Sequence, residues 1–160
     1  MTLCVEEKVA VRRWLKRGGI VVLGLLLACQ LVPVRRTNPP VDPSRTLYAT
    51  QPVPPPVKAV FERSCNTCHS NETPWPWYSY VAPVSWVVAR DVHHARKVMN
   101  FSEWGSYSAR RKEDKLEEIC EQVTKGDMPD RKFALFHRAS RISPQEREAV
   151  CEWTDASRDY

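Results

Sequence analysis

The chain has 160 residues, enough for one domain of ordinary size with short extensions. Its formal net charge of +5 arises in residues 1–36, which hold seven Lys or Arg and two Glu, whereas the remainder holds 17 charges of each sign. Because nucleic-acid binding requires a basic patch on the folded domain, this distribution excludes a nucleic acid as the expected partner.

The first predicted element is a membrane anchor. Residues 1–17 are basic, and residues 18–34 form an uncharged run of 17 residues, just long enough to cross a hydrocarbon core of about 30 Å as a helix. The positive-inside rule then places residues 1–17 in the cytoplasm and the rest of the chain outside. A signal peptide, or a lipoprotein box with Cys29 as the lipidated residue, fits the same run, but the apolar stretch continues past Cys29 and favours an uncleaved anchor.

A proline-rich linker is predicted next, over residues 35–56. Eight of the 13 prolines lie between residues 33 and 56, without apolar periodicity, which is typical of an extended tether. The folded domain is therefore expected to occupy residues 57–160.

Helical spacing of apolar residues predicts four helices in this domain and an all-α fold. The first covers residues 57–64, the second residues 83–100 and the third residues 108–125, with Gly126 placed to end it in a left-handed cap. The fourth begins at Ser143, where Ser-Pro-Gln-Glu forms a capping box with proline at the first helical position.

The residues expected to bind a cofactor lie in the sequence Cys65-Asn66-Thr67-Cys68-His69. It is the C-x-x-C-H pattern of c-type haem attachment, in which two thiols add to the vinyl groups and the histidine binds the iron. Half of a zinc site and a redox-active thiol pair are the alternatives. A zinc site needs a second ligand pair, and the sequence has no second C-x-x-C and no H-x₃₋₅-H. One covalent haem c with its iron is the expected cofactor.

Met128, in the sequence Gly-Asp-Met-Pro, is the predicted second iron ligand. A thioether in a polar loop has no obvious packing role, whereas Met99 ends a helical stripe and is expected in the core. The rival ligands are His93, His94 and His137.

Residues 57–153 resemble the bacterial single-haem family called the haem-binding domain family, which is related to cytochrome c. The resemblance is carried by the following residues: Cys65, Cys68, His69, Ser70, Asn71, Thr73, Trp75-Pro76-Trp77-Tyr78, Pro83-Val84-Ser85-Trp86, Asn100-Phe101-Ser102, Trp104, Met128-Pro129, His137 and Trp153. Asp130, Phe133 and Arg138 depart from the family pattern, which has proline, tyrosine and proline at these positions.

The resemblance implies a cytochrome c-like fold in which Phe61, before the motif, packs against Val150 or Trp153 of the last helix. It also fits a bacterial inner-membrane protein whose single haem domain faces the periplasm. The rigid aromatic residues near the motif are expected to cover the apolar haem: Trp75, Trp77, Tyr78 and Trp86. Their polar groups, with Arg90, are candidate partners of the haem propionates.

Electron transfer with unidentified redox proteins is the predicted function, without a catalytic residue. The alternatives are a gas or redox sensor, in which Met128 leaves the iron, and a haem-binding subunit of a larger envelope complex. A peroxidase is the weakest hypothesis, since two-haem peroxidases require two attachment motifs and this chain has one.

Two further cysteines, Cys120 and Cys151, lie on the third and fourth predicted helices. In an exported domain they can form a disulfide if their Cα atoms come within about 7 Å. Otherwise they are two buried thiols that act as small apolar side chains.

Overall fold

The structure is a computed structural model that describes residues 3–158, with side chains from residue 11 onward. Every regular element in this range is a helix, so the predicted all-α class is confirmed. The α-helices of the described range are α1 Leu3–Cys29, α2 Leu47–Thr50, α3 Pro55–Ser64, α4 Asn66–His69, α5 Val84–Val98, α6 Ala109–Lys125, α7 Arg131–Phe136 and α8 Pro144–Ala156. Short 3₁₀ helices occupy Pro43–Arg45, Trp77–Tyr80, Phe101–Ser106 and Arg138–Ser140.

The four predicted helices are α3, α5, α6 and α8, and local capping explains both ends of α6 and the start of α8. Ser108 accepts a hydrogen bond from the Arg111 N–H at the start of α6, and Gly126 ends that helix with a φ of 73°. Such a left-handed backbone favours glycine, which has no Cβ to clash. At α8, Ser143 and Glu146 form the predicted capping box.

Replacement of Ser143 by alanine should lower the free energy of unfolding by about 1 kcal/mol, because the N–H of Glu146 then loses its side-chain acceptor. Urea unfolding followed by circular dichroism measures the change. Ser157→Ala, at the other end of α8, is the matched control and should stay within about 0.5 kcal/mol of the unmodified chain. Equal losses in both variants would contradict the capping role.

The chain divides into two compact units. The first consists of the residues up to Arg36 together with Trp75–Arg90. In this unit the side chain of Gln30 donates to the Ala82 carbonyl and accepts from the Ala82 N–H, both at 3.0 Å. Arg36 donates to the Ser79 carbonyl at 3.2 Å and lies over the Tyr80 ring. These contacts join the segment that follows α1 to residues 79–82.

The transmembrane anchor predicted at residues 18–34 is wrong. Helix α1 ends at Cys29, so only residues 18–29 of the uncharged run are helical. At 1.5 Å per residue they extend over about 18 Å, which is shorter than a hydrocarbon core of about 30 Å. Among the helices that the structure describes, none has the length and hydrophobicity to cross a membrane. The predicted single-pass location in the inner membrane is therefore overturned as well.

The second unit, Thr37–Pro74 with the residues from Asp91 onward, contains the main hydrophobic core. Phe61 of α3 is fully buried, and its ring meets Trp153 of α8 edge-on with centroids 5.4 Å apart. The predicted packing of the helix before the motif against the last helix is thus confirmed. Phe101 stacks on the other side of Phe61, with centroids 5.2 Å apart.

The segment predicted as a linker contributes to this core. Leu47 of α2 is fully buried, and the indole N–H groups of Trp104 and Trp153 donate to the Gln51 side chain and to the Pro52 carbonyl. The close approach of this segment requires Gly105, since a Cβ there would lie 2.9 Å from a Thr50 methyl carbon.

Cys120 of α6 and Cys151 of α8 form a disulfide, with Cα atoms 4.8 Å apart. The disulfide was one of two alternatives for these cysteines, and the other, two free thiols, does not apply. In the chain-entropy account a bridge of this span stabilises a fold by roughly 3 to 4 kcal/mol. It joins α6, the helix that precedes the loop of Met128, to α8.

Candidate functional site

The two motif cysteines and the histidine lie on one helical turn directly after α3. Cys65 follows the last residue of α3 and precedes α4, and its carbonyl accepts from the N–H groups of Cys68 and His69 at 3.1 and 2.9 Å. Residues three and four positions apart share one side of a helix. Cys65 is therefore a helical neighbour of both Cys68 and His69, and both cysteines are free.

His69 is buried and its ring is oriented by the main chain. Nδ1 lies 3.1 Å from the carbonyl oxygen of Met99. A carbonyl only accepts, so Nδ1 carries the proton and Nε2 keeps a lone pair for a metal. Burial lowers the pKa of His69, while the hydrogen bond to Met99 acts in the opposite direction. The imidazole is therefore neutral at neutral pH, which is the form that binds a metal.

The thiols of Cys65 and Cys68 are protonated in this environment. Burial raises the pKa of Cys65 to about 12 and that of Cys68 to about 11. Redox-active cysteines have lowered pKa values, so these values disfavour the thioredoxin-like alternative. A thioether leaves each sulfur neutral and is compatible with burial. Among the residues that the structure describes, no three His, Cys, Asp or Glu side chains converge as a metal-binding group.

Arg96 of α5 holds the loop that follows His69. Its guanidinium donates to the Ser70 carbonyl at 2.7 Å and to the Thr73 hydroxyl at 2.8 Å. The same group donates to the Thr37 carbonyl and to the Asn38 side chain. One side chain thereby joins the chain on both sides of α3 and α4. Sequence reasoning missed Arg96, because a basic residue in the last turn of a helix is usually only a favourable end charge.

Met128 lies in the loop between α6 and α7, where its backbone N–H donates to the Gln122 carbonyl at 3.2 Å. Its side chain is 39 % exposed, so it does not fill a core gap. The charge of Asp130, after that of Asp91, adds to the effect of burial in raising the pKa of Cys68. Asp130 also caps α7 by accepting from the N–H groups of Lys132 and Phe133.

Other candidate ligands occupy different surroundings. Met99 is 8 % exposed and belongs to the core, as predicted. His94 is exposed on α5, and His93 is half-buried beside it. The ring of His137 stacks on Phe133, with centroids 4.4 Å apart.

The four aromatic residues predicted to cover the haem belong to the first unit, whereas the motif and Met128 belong to the second. Trp77 is 78 % exposed and meets Tyr78 edge-on, while Trp75, Tyr78 and Trp86 are half-buried. The indole N–H of Trp86 is buried without a hydrogen-bond partner among the described residues. A buried donor of this kind fits a ligand that carries acceptors, such as a carboxylate.

The residues of the second unit thus fit a haem, with two neutral thiols and one oriented imidazole. A family model described as a haem-binding domain matches residues 24–156. Comparison with curated proteins found no match, and comparison with solved structures found none either.

Proposed function

Since this chain belongs to the haem-binding domain family, we propose that it is a c-type cytochrome that carries one covalent haem and transfers single electrons between redox proteins. Family membership makes the chain a haem-binding protein. The proposal adds to haem binding the thioether bonds, the iron ligands and the electron-transfer role.

The hydrogen bond from His69 Nδ1 to the Met99 carbonyl is the observation that carries the proposal. It leaves Nε2 as the one metal-binding atom of a buried, neutral imidazole that directly follows two protonated thiols on the same turn. In this assignment Cys65 and Cys68 would hold the haem through thioether bonds, and His69 would bind its iron. Bound haem supplies a one-electron ferric/ferrous couple.

Met128 is proposed as the second protein ligand that would bind the iron. Its loop is anchored at both ends, by the Gln122 carbonyl and by the cap of Asp130 on α7. A thioether paired with histidine raises the reduction potential.

Electron transfer is favoured over enzymatic activity because two protein side chains, His69 and Met128, would bind the iron and no acid or base is needed. The exposure of the Met128 side chain favours a second candidate, a gas sensor in which this ligand leaves the iron. A subunit of a larger redox complex uses the same haem site and is included in the first proposal.

Exposure of the reduced full-length chain to carbon monoxide tests these candidates. We expect a six-coordinate low-spin spectrum that carbon monoxide does not change, because Met128 occupies the sixth position. Met128→Ala should shift the ferric spectrum toward high spin, lower the potential and permit carbon monoxide binding. His93→Gln combined with His94→Gln is the control and should keep the unmodified spectrum. Rapid binding by the unmodified chain would favour the sensor, and an unchanged Met128→Ala spectrum would contradict the Met128 assignment.

A further inference from the structure

The peptide group between Met99 and Asn100 is held on both edges by side chains. Its carbonyl oxygen accepts from His69 Nδ1 at 3.1 Å, and its N–H donates to the hydroxyl of Tyr107 at 2.8 Å. The C=O and N–H of a trans peptide point in opposite directions. His69 and Tyr107 therefore bind opposite edges of one peptide plane, and the tyrosine hydroxyl fixes the direction of the carbonyl that orients His69.

Tyr107 is itself held firmly. It directly follows the 3₁₀ helix Phe101–Ser106, and its N–H donates to the Trp104 carbonyl at 3.1 Å. Its ring packs against Trp104, which is fully buried, with centroids 5.7 Å apart. The Arg111 guanidinium covers the ring at 4.1 Å from its centroid. The hydroxyl therefore has little freedom to move away from the peptide.

The side chain of Asn100 fixes the same peptide from a third direction. Its Nδ2 donates to Asn71 Oδ1 at 2.8 Å, and its Oδ1 accepts from the Ser102 N–H at 3.0 Å. The Ser102 hydroxyl accepts in turn from the Asn71 N–H at 3.0 Å. All three residues are buried, so displacement of any of them leaves unpaired polar groups, each of which costs about 1 to 3 kcal/mol. Asn71 lies two residues after His69, so the ring of hydrogen bonds joins the chain after the histidine to the chain after Met99.

We propose that Tyr107 is a positioning residue for the axial histidine: through the Met99–Asn100 peptide it holds the carbonyl against His69 and thereby sets the reduction potential of the bound haem. Hydrogen bonds in a chain polarise one another, so the tyrosine hydroxyl strengthens the carbonyl as an acceptor. A stronger acceptor at Nδ1 makes Nε2 more basic, which favours ferric iron. This inference rests on the proposed function, because it requires His69 as an iron ligand.

Tyr107→Phe tests the inference, since it removes the hydroxyl and keeps the ring against Trp104. In the haem-loaded full-length chain we expect the potential to rise. The reduction equilibrium should change by a factor of up to ten, which corresponds to about 59 mV for one electron. In the ferrous protein the Nδ1 proton of His69, observed by nitrogen-15 NMR, should exchange faster with water. Ser102→Ala, which loosens the ring of hydrogen bonds, should change both quantities in the same direction by a smaller amount.

Ser143→Ala is the control for lost stability, because it weakens α8 without touching the Met99–Asn100 peptide. It should leave both the potential and the exchange rate of the Nδ1 proton unchanged. An unmodified chain in which His69 does not bind the haem iron would overturn the proposed function and this inference together. The unmodified chain could bind haem through histidine while Tyr107→Phe leaves the potential and the exchange rate of the Nδ1 proton unaltered. That result would overturn only the role of Tyr107.

Discussion

Cys65→Ser combined with Cys68→Ser should abolish haem staining of the chain on a denaturing gel. Each serine hydroxyl is far less nucleophilic than a thiol and forms no thioether with a haem vinyl group. His69 by itself binds iron through a coordinate bond that does not survive denaturation. The expected loss is complete, and intact mass should decrease by one haem in addition to the two oxygen-for-sulfur exchanges.

Cys120→Ser combined with Cys151→Ser provides the matched control. It also replaces two cysteines, but these form the disulfide between α6 and α8 rather than the motif. Stain intensity per chain should equal that of the unmodified protein, even where the yield falls because the disulfide is lost. Full staining of the chain without Cys65 and Cys68 would refute covalent attachment at the motif.

Phe61→Ala should lower the free energy of unfolding by about 3 to 5 kcal/mol. Phe61 is fully buried between Phe101 and Trp153, so truncation removes apolar contacts and leaves a cavity in the centre of the core. Phe101 also lies beside His69, with ring centroids 6.2 Å apart, so the cavity forms one side chain away from the site. Guanidinium unfolding of the haem-loaded chain measures the loss.

Phe136→Ala is the control of the same residue type. The Phe136 side chain on α7 is 71 % exposed, and its truncation should change the free energy of unfolding by less than about 1 kcal/mol. Similar losses in both variants would show that Phe61 does not connect α3 to α8 in the way the structure describes.

The candidate site could be predicted from the sequence where it depends on neighbouring residues. Cys65, Cys68 and His69 are close in the chain, and any helical turn brings them together. The acceptor for His69 was not predictable, because it is the main-chain carbonyl of Met99 and a carbonyl has no residue-type signature. The hydroxyl of Tyr107 was missed for the same reason, since its partner is the N–H of the next peptide.

The prediction of a membrane anchor was wrong because it relied on the number of consecutive apolar residues. Residues 18–34 satisfy the length rule, but the rule assumes that the whole run is helical. Helix α1 ends at Cys29, and the Gln30 side chain is then bound to Ala82, 52 positions later in the chain. This pairing depends on a distant segment, which a window of sequence does not contain.

The sequence by itself determined the helices whose ends are local. Ser108, Gly126 and Ser143 act on backbone groups within four residues, so a short stretch of sequence is enough to predict their effect. The tertiary structure alone decided the bond between Cys120 and Cys151, the burial of Leu47 in a proline-rich segment and the hydrogen bond that orients His69. The physical reason is distance along the chain, because such pairs meet only after the helices have packed, and helical phase does not specify how far apart two helices lie.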